Sequence, residues 1–200
     1  RLPHPDINLE VGSGSHAVQT AEVMRRFEPV LDEHKPSCIL VVGDVNSTLA
    51  CTLVGVKKGI PVVHVEAGLR SYDRAMPEEI NRVLTDQVAD LLYTTERSAA
   101  DNLAREGIAG DRIRFVGNVM IDSLLSNRTV ARQPADTLKA AGIDPGILST
   151  ADGYGVVTMH RPSNVDHPEV LQSLLGVLRE ISASLPLVFA LHPRTKGNIE

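Results

Sequence analysis

The sequence predicts an α/β fold built on a doubly wound parallel sheet. Short runs of apolar, often β-branched residues recur six times, and each run ends at a glycine or a polar residue. Helical patterns follow several of these runs. Continuous apolar runs are typical of strands in parallel sheets that helices cover on both faces. The alternation of such strands with helices predicts right-handed crossover connections.

Each predicted element depends on a local pattern. The strands are the apolar runs at 38–42, 62–65, 91–94, 113–116, 156–159 and 187–191. The first helix spans 17–31, where apolar residues recur at intervals of three and four, and Pro29 is expected to bend or end it. A second helix spans Pro77 to Val88, because proline followed by two carboxylates favours a helix N-terminus. Further helices are predicted at 96–105, around 135–141 and at 170–181.

The pattern loosens between Asn127 and Tyr154, where prolines and glycines lie among polar residues. Such a composition predicts a domain boundary or a hinge. We therefore predict a first domain over residues 1–125, a linker over 126–153 and the start of a second domain over 154–200.

Composition argues against several classes of protein. The 200 residues are 42% hydrophobic and 22% charged, which is typical of a folded globular chain. A net charge of −5 argues against a nucleic-acid partner. No apolar run approaches the roughly 20 residues that span a bilayer, and the first residues lack the apolar core of a signal peptide. We expect a cytoplasmic protein with no membrane partner, in which Cys38 and Cys51 are reduced core residues.

Polar residues with catalytic chemistry follow the predicted strands. Ligands of open α/β sheets bind beyond the carboxyl ends of the strands, so the residues that close each apolar run are site candidates. These candidates are Asp44, Glu66, Asn118, His160 and His192, with Arg70 and Arg161 a few residues further on. Together they could provide a general acid, a general base and a phosphate clamp.

Several of these residues also have an ordinary structural interpretation. Asp44 is compatible with a turn that helps to cap the next helix. Glu78 and Glu79 are compatible with charge complementarity at a helix N-terminus. His160 and His192 are compatible with hydrogen bonds to loop carbonyl groups.

Two cofactor questions follow from the motifs. His64 and Glu66 share one face of a strand, so they are compatible with a pair of metal ligands. The fingerprints GxGxxG and GxxxxGK[ST] are absent, which argues against a nicotinamide dehydrogenase and against a P-loop kinase.

Longer motifs point to one family. The string HVEAGLRSYDRAMPEEINR at 64–82 resembles the non-hydrolysing UDP-N-acetylglucosamine 2-epimerases. The resemblance extends to VVGDVNST at 41–48, FVGNVMIDSLL at 115–125, HRPSNVDHP at 160–168 and LHPRT at 191–195. It implies two Rossmann-like domains of the GT-B type, a cytoplasmic homodimer, and a role in supplying precursors of surface polysaccharides.

The resemblance also implies roles for individual residues. The implied catalytic residues are Asp44, Glu66, Glu78 and His160. The implied substrate-binding residues are Arg70, Arg82, Asn118, Arg161 and His192, of which the first two are alternatively carboxylate-orienting residues. The family chemistry needs proton-transfer groups and stabilisation of a diphosphate, and it implies no metal and no redox cofactor.

The implied activity is inversion at C2 of UDP-N-acetylglucosamine (UDP-GlcNAc) to UDP-N-acetylmannosamine (UDP-ManNAc). UDP is eliminated first to give 2-acetamidoglucal, and it is added back after proton return to the opposite face of C2. Three alternatives stay open. They are a related UDP-sugar such as a 2,3-diacetamido uronic acid, a module that only binds a UDP-sugar, and a metal-dependent hydrolase using His64, Glu66, Asp44 and His160.

The sequence also departs from the family pattern. Pro162 and Ser163 stand where the family most often has arginine and glutamate, and the segment between Arg70 and Pro77 is shorter than in many members. Neither the family's opening strand nor its later UDP-holding loop is present. We therefore expect both domains to be incomplete in these 200 residues, and the chain alone to be inactive or barely active.

Overall fold

The computed structural model describes residues 3–149 and 153–199. The chain forms two compact units, Arg1–Asn127 and Arg128–Glu200. The domain limits 1–125, 126–153 and 154–200 stay a prediction.

The first unit contains a four-stranded parallel sheet whose strands lie in chain order. The strands are β1 (Ile39–Val42), β2 (Val62–Val65), β3 (Leu91–Thr94) and β4 (Ile113–Phe115). The helices are α1 (His16–His34), α2 (Asn46–Lys57), α3 (Pro77–Val88), α4 (Arg97–Arg105) and α5 (Val119–Asn127), and a 3-10 turn spans Gly110–Arg112. The structure confirms the four predicted strands of this unit to within one residue at each end. It adds α2 and α5, for which the sequence patterns gave no predicted bounds.

Helix α1 does not end at Pro29. It begins at the cap residue Ser15, whose hydroxyl accepts a hydrogen bond from the Val18 amide at 3.3 Å, and it continues to His34. Proline costs a helix one backbone hydrogen bond, but the buried Leu31 anchors the turn that follows Pro29 to the core. Lys35 then stops the helix in a left-handed conformation, with its amide donating to the Leu31 carbonyl at 3.0 Å.

One face of this sheet carries the core. Right-handed crossovers between neighbouring strands taken in order place their helices on the same face. The core accordingly joins Leu31, Val54 and Leu103 of three helices to strand residues such as Val62 and Leu92. On the other face, Leu40 is 59% exposed and Val42 is 50% exposed. Burial of β1 on both faces, expected from its apolar run, is therefore not found within the described residues.

The second unit has a two-stranded parallel sheet of β5 (Gly155–Val157) and β6 (Leu187–Phe189). Its helices are α6 (Pro134–Ala140), α7 (Pro162–Val165), α8 (Pro168–Ser182) and α9 (Pro193–Ile199), with a 3-10 turn at Pro145–Ser149. Both strands are shorter than predicted, and the first begins one residue earlier. The parallel pairing agrees with the predicted α/β class.

Two further expectations concern the cysteines and the membrane. Cys51 packs against the core, but Cys38 is exposed, so its assignment to the core is wrong. The β1 residues in the core are Ile39 and Val41, which face the helices. Cys38 comes directly before the strand and is not among them. No helix within the described ranges has the length and apolar character to cross a membrane.

Gly68 allows a close contact between the loop after β2 and helix α4. It has a left-handed backbone (φ 80°), and a Cβ atom there would lie 2.7 Å from the Ala99 carbonyl oxygen and 3.0 Å from Leu103. Its amide donates to Asp86 at 3.0 Å, and its carbonyl accepts a hydrogen bond from Asn102 at 2.9 Å. Only glycine combines this backbone conformation with this packing.

We predict that Gly68→Ala lowers the free energy of unfolding by roughly 3 kcal/mol, from left-handed strain together with overpacking. Gly59 is the matched control, because it has a similar φ of 71° and no neighbour within 4 Å of an added Cβ. Gly59→Ala should cost about 1 kcal/mol, from strain alone. Urea unfolding of both variants measures the difference, and equal losses would contradict the packing argument.

Candidate active site

Asp44 lies at the carboxyl end of β1 and is held by helix α3. Its Oδ2 accepts hydrogen bonds from the Arg82 guanidinium, at 2.9 Å from Nε and 2.7 Å from a terminal nitrogen. Its main-chain oxygen accepts a hydrogen bond from the Asn81 side-chain amide at 2.8 Å. Asp44 is not a helix cap, because α2 begins without a side-chain cap. The arrangement fixes the direction of a half-buried carboxylate.

Glu66 lies beside this turn, at the end of β2. Its backbone is left-handed with φ 70°, which costs a residue other than glycine roughly 1 kcal/mol. A Cβ atom on Gly43 would lie 3.6 Å from Glu66 Oε2, so the Glu66 carboxylate reaches the residue next to Asp44. The structure therefore brings these two predicted carboxylates to one edge of the sheet.

A cavity of about 430 Å³ opens at this edge. Asp44 and Glu78 both line it, together with residues near the N-termini of α1 and α2. Among the residues that the structure describes, the Glu78 carboxylate has no hydrogen-bond or ion-pair partner. It is half-buried and faces the cavity.

Glu79, the neighbour of Glu78, has a different environment. Its carboxylate is 4% exposed and accepts hydrogen bonds from the amides of Ser71 and Tyr72 at 3.0 and 2.9 Å. Arg82 donates to it at 2.7 Å. Burial alone would raise the pKa of Glu79, but these donors outweigh it and hold the pKa below the ordinary value of 4.5. Glu79 therefore pins the loop before α3, and Arg82 connects it to Asp44.

Arg70 lies in the interior rather than in the cavity. Its side chain is 1% exposed and pairs with Asp86 at 2.7 Å and with Glu106 at 2.6 Å. Burial alone would lower the pKa of Arg70, but the two carboxylates raise it above its usual value. Of the two roles considered for Arg70, contact with substrate does not fit this placement, and orientation of buried carboxylates does.

His64 is not available as a metal ligand. The ring is fully buried, with Nδ1 2.7 Å from Asp86 Oδ1 and Nε2 2.8 Å from the Gly43 carbonyl oxygen. Both ring nitrogens are therefore occupied. Within residues 3–149 and 153–199, no group of three or more His, Cys, Asp or Glu side chains is placed to hold a metal ion. The hydrolase alternative based on His64, Glu66, Asp44 and His160 has no structural support.

Asn118 follows β4 and orders the start of α5. Its Oδ1 accepts a hydrogen bond from the Met120 amide at 2.9 Å. The side-chain NH₂ group has no partner among the described residues. Asn118 is half-buried, so this donor is available to a ligand.

The second unit brings His160 and His192 together. Their ring centroids are 5.3 Å apart, at the carboxyl ends of β5 and β6. Arg161 is exposed and precedes α7, whose first residue is Pro162. A proline suits that first helical position, which explains the departure from the family motif in local terms. Three predicted site residues of this unit therefore lie on adjacent strand ends.

His160, Arg161 and His192 form a second cluster of polar residues. Residues that the sequence patterns did not single out hold this second cluster in place. The Thr195 hydroxyl donates to the main-chain oxygen of Met159, which precedes His160. Arg194 forms two hydrogen bonds to Asp166, at 2.8 and 2.5 Å, and this partner lowers the pKa of the Asp166 carboxyl. Both residues belong to the LHPRT string, so the motif itself was the signal for their importance.

The first unit also contains site residues that were missed. The Asn46 side chain donates to Gln19 at 2.9 Å and lies 3.1 Å from the Nδ1 atom of His16. All three residues line the cavity beside Asp44. Asn46 follows Asp44 by two positions and was recognisable from its place at the strand end. His16 and Gln19 come from a distant helix, and no local pattern marks them.

Comparison with known proteins gives one family. A sequence model of the family described as UDP-N-acetylglucosamine 2-epimerase matches residues 1–200. The UDP-N-acetylglucosamine 2-epimerase of Methanocaldococcus jannaschii is 41% identical over 201 residues, which cover 100% of this chain and 54% of that protein. The UDP-2,3-diacetamido-2,3-dideoxy-D-glucuronate 2-epimerase of Pseudomonas aeruginosa is 42% identical over 202 residues, with the same coverage of both chains.

Solved structures agree with the sequence comparison. The M. jannaschii UDP-GlcNAc 2-epimerase in complex with UDP-GlcNAc and UDP has a TM-score of 0.82 at 42% identity, covering 99% of this chain and 54% of that chain. The structure of UDP-N-acetylglucosamine 2-epimerase from Rickettsia bellii has a TM-score of 0.80 at 28% identity, covering 98% and 50%. These likenesses confirm the predicted α/β, GT-B-like fold class. The chain spans about half the length of the curated relatives that it matches.

The environment of Glu79 predicts a pH dependence of stability. Because the folded-state pKa of Glu79 lies below 4.5, its ionised form contributes stability that is complete above this ordinary value. The contribution is lost as the pH falls through the lowered folded-state pKa. Glu79→Gln should lower the free energy of unfolding at neutral pH by about 2 kcal/mol and flatten its decline in acid.

Urea unfolding between about pH 7 and pH 3 measures both effects. Glu78→Gln is the control. The Glu78 carboxylate has no partner to lose among the described residues, so the stability curve of this variant should run parallel to that of the wild type. A Glu79→Gln curve that also ran parallel would contradict the role assigned to Glu79.

Proposed function

The chain belongs to the UDP-N-acetylglucosamine 2-epimerase family, and on that premise we propose that the protein interconverts UDP-GlcNAc and UDP-ManNAc without hydrolysis. The observation that carries the proposal is the pair of carboxylates, Asp44 and Glu78, on one cavity at the carboxyl edge of the sheet. Inversion at a carbon needs one group to remove a proton and another to return it to the opposite face.

The two carboxylates suit proton transfer in different ways. Asp44 is held in a fixed direction by Arg82 and Asn81, so its oxygen atoms are positioned before a ligand arrives. Glu78 has no protein partner among the described residues and can exchange its proton with the ligand. Glu66, the third carboxylate, lies beside Gly43 in the turn that carries Asp44, and it stays a proposed catalytic residue.

The proposed reaction begins with cleavage of the bond between C1 and the diphosphate oxygen. UDP leaves with the bonding electron pair, and oxocarbenium character at C1 makes the C2 proton removable. A carboxylate takes that proton, which gives 2-acetamidoglucal and UDP. Proton delivery to the opposite face of C2, with addition of the UDP oxygen to C1, completes the inversion. Atoms and charge balance without an oxidant or a metal.

Binding of the diphosphate is proposed for the second cluster of polar residues. His160, Arg161 and His192 supply hydrogen-bond donors at the strand ends of their unit. In the first unit, Asn118 is a separate proposed substrate-binding residue, because its side-chain NH₂ group has no partner among the described residues. Cationic and hydrogen-bonding groups stabilise the negative charge that UDP gains as it leaves. Arg82 is proposed to act on substrate through Asp44, and Arg70 through buried carboxylates.

A second candidate substrate follows from the comparisons. The relative from P. aeruginosa named for a diacetamido uronate is 42% identical to this chain, about as similar as the relative named for UDP-GlcNAc. Epimerisation at C2 is the same chemistry in both, so the site residues would keep their roles. A homodimer, a cytoplasmic location and a role in surface polysaccharide synthesis are proposed from the family resemblance.

The proposed reaction predicts exchange of the C2 proton with solvent. The full protein, incubated with UDP-GlcNAc in D₂O, should place deuterium at C2 and form UDP-ManNAc, both read by NMR. The diacetamido uronate substrate is tested in parallel, and the faster exchange identifies the preferred sugar. Prior dialysis against a chelator should leave the rate unchanged.

Three outcomes would contradict the proposal. Binding of UDP without deuterium at C2 would indicate a binding module. Release of free sugar would indicate hydrolysis. Loss of activity on chelation, restored by zinc or manganese, would indicate a metal enzyme.

The carboxylate assignment predicts separate effects on rate and stability. Asp44→Asn and Glu78→Gln should each lower kcat by about 100-fold or more, because each removes a proton-transfer group. Thermal unfolding should stay close to that of the wild type for Glu78→Gln. Glu33→Gln, at an exposed carboxylate of α1, is the matched control and should retain the wild-type rate. Unchanged deuterium exchange in either active-site variant would remove that residue from the mechanism.

A further inference from the structure

A buried polar chain runs from helix α3 to the turn that carries Asp44. Asp86 on α3 and His64 on β2 are both fully buried, and they meet at 2.7 Å. The other ring nitrogen of His64 reaches the Gly43 carbonyl oxygen at 2.8 Å. The proposed reaction makes no direct use of either side chain, and a buried ionisable pair is costly unless its hydrogen bonds are satisfied.

Hydrogen-bond accounting fixes the state of the His64 ring. A carbonyl oxygen only accepts, so Nε2 must carry a proton and donate it to Gly43. On the other side, Asp86 Oδ2 already accepts from the Gly68 amide at 3.0 Å and from Arg70 at 2.7 Å. Asp86 Oδ1 is left to pair with Nδ1 of His64 at 2.7 Å, so neither ring nitrogen is open to a ligand.

The Gly43–Asp44 turn is consequently held at the Gly43 amide, which donates to the Val65 carbonyl at 3.0 Å, and at three further points. His64 holds the Gly43 oxygen, Asn81 holds the Asp44 main-chain oxygen, and Arg82 holds the Asp44 carboxylate. Gly43 has a left-handed backbone (φ 72°), a conformation that glycine adopts at little steric cost. Release of its carbonyl would loosen the peptide group between Gly43 and Asp44, which sets the direction in which the Asp44 side chain leaves the backbone toward Arg82.

We propose that His64 is a positioning residue for the reaction: it holds the Gly43 carbonyl, backed by Asp86, so that the Asp44 carboxylate meets the sugar in a fixed orientation. The inference rests on the proposed function, because it assigns Asp44 a part in proton transfer. Misplacement of a reacting group by about 1 Å costs on the order of 100-fold in rate.

Substitution of His64 by glutamine or by asparagine distinguishes the effects of its two hydrogen bonds. The amide nitrogen of glutamine can take the place of Nε2, whereas that of the shorter asparagine can take the place of Nδ1. His64→Gln therefore keeps a donor for Gly43, and His64→Asn keeps a donor for Asp86 only. In the full protein, kcat for C2 deuterium exchange should fall about 100-fold in His64→Asn and recover to within about 5-fold of wild type in His64→Gln. KM should change by less than about 3-fold in both.

A separate control variant tests whether a loss of stability alone lowers kcat. Leu92→Ala removes a fully buried side chain that neighbours His64 on β3 and makes no contribution to the Gly43 hydrogen bond. Assayed below its unfolding temperature, this variant should keep the wild-type kcat. Equal losses of kcat in His64→Gln and His64→Asn, or a matching loss in Leu92→Ala, would overturn the positioning role while leaving the proposed function intact.

The wild-type protein supplies a test that needs no variant to fold. NMR of ¹⁵N-histidine-labelled protein should show a slowly exchanging proton on Nε2 of His64. An Nε2 atom without a proton would overturn the inference, because no donor would remain for Gly43. Absence of deuterium exchange by the wild-type enzyme is the different result that overturns the proposed function, and with it the catalytic meaning of the His64 contact.

Discussion

The candidate site depends on one buried carboxylate, that of Asp86. Its Oδ2 accepts hydrogen bonds from the Gly68 amide and from Arg70, and its Oδ1 lies 2.7 Å from His64 Nδ1, so both carboxylate oxygens have a partner. A buried carboxylate without such partners would destabilise the fold by several kcal/mol. These donors come from β2 and from the loop behind it. Satisfying Asp86 therefore forces α3 to pack at one fixed position against the strand end.

Helix α3 is the element that assembles the carboxylate edge. Its first turn places Glu78 in the cavity and Glu79 in the interior, and its second turn sends Arg82 to Asp44. The helical repeat explains this division, because neighbouring residues project about 100° apart. A helix anchored by Asp86 at one end and by Glu79 at the other cannot rotate about its axis. Rotation would exchange the carboxylate that lines the cavity, Glu78, for the buried one, Glu79.

Sequence patterns predicted the strands well and the burial of their faces less well. An apolar run reports that a segment avoids water, but Leu40 and Val42 show that it does not report which neighbour covers each face. Helix α1 passed through Pro29 because distant core contacts outweighed a local rule. The roles of the candidate site residues stay predictions, but their strand-end positions were predicted from the sequence. The directions of side chains were not, since Arg70 and His64 turn inward to partners that are far away in the chain.

The bridge made by Arg82 has a consequence for exchange of segments between family members. Its guanidinium joins Asp44 to Glu79, and Glu79 in turn holds the backbone of Ser71 and Tyr72. A loop transplanted into 71–76 from a relative with a longer segment would alter the amides that Glu79 accepts from. The disturbance would reach Asp44 through the side chains of Glu79 and Arg82. Chimeric enzymes are therefore best cut outside 64–82, so that the loop, Glu79 and Arg82 are inherited as one block.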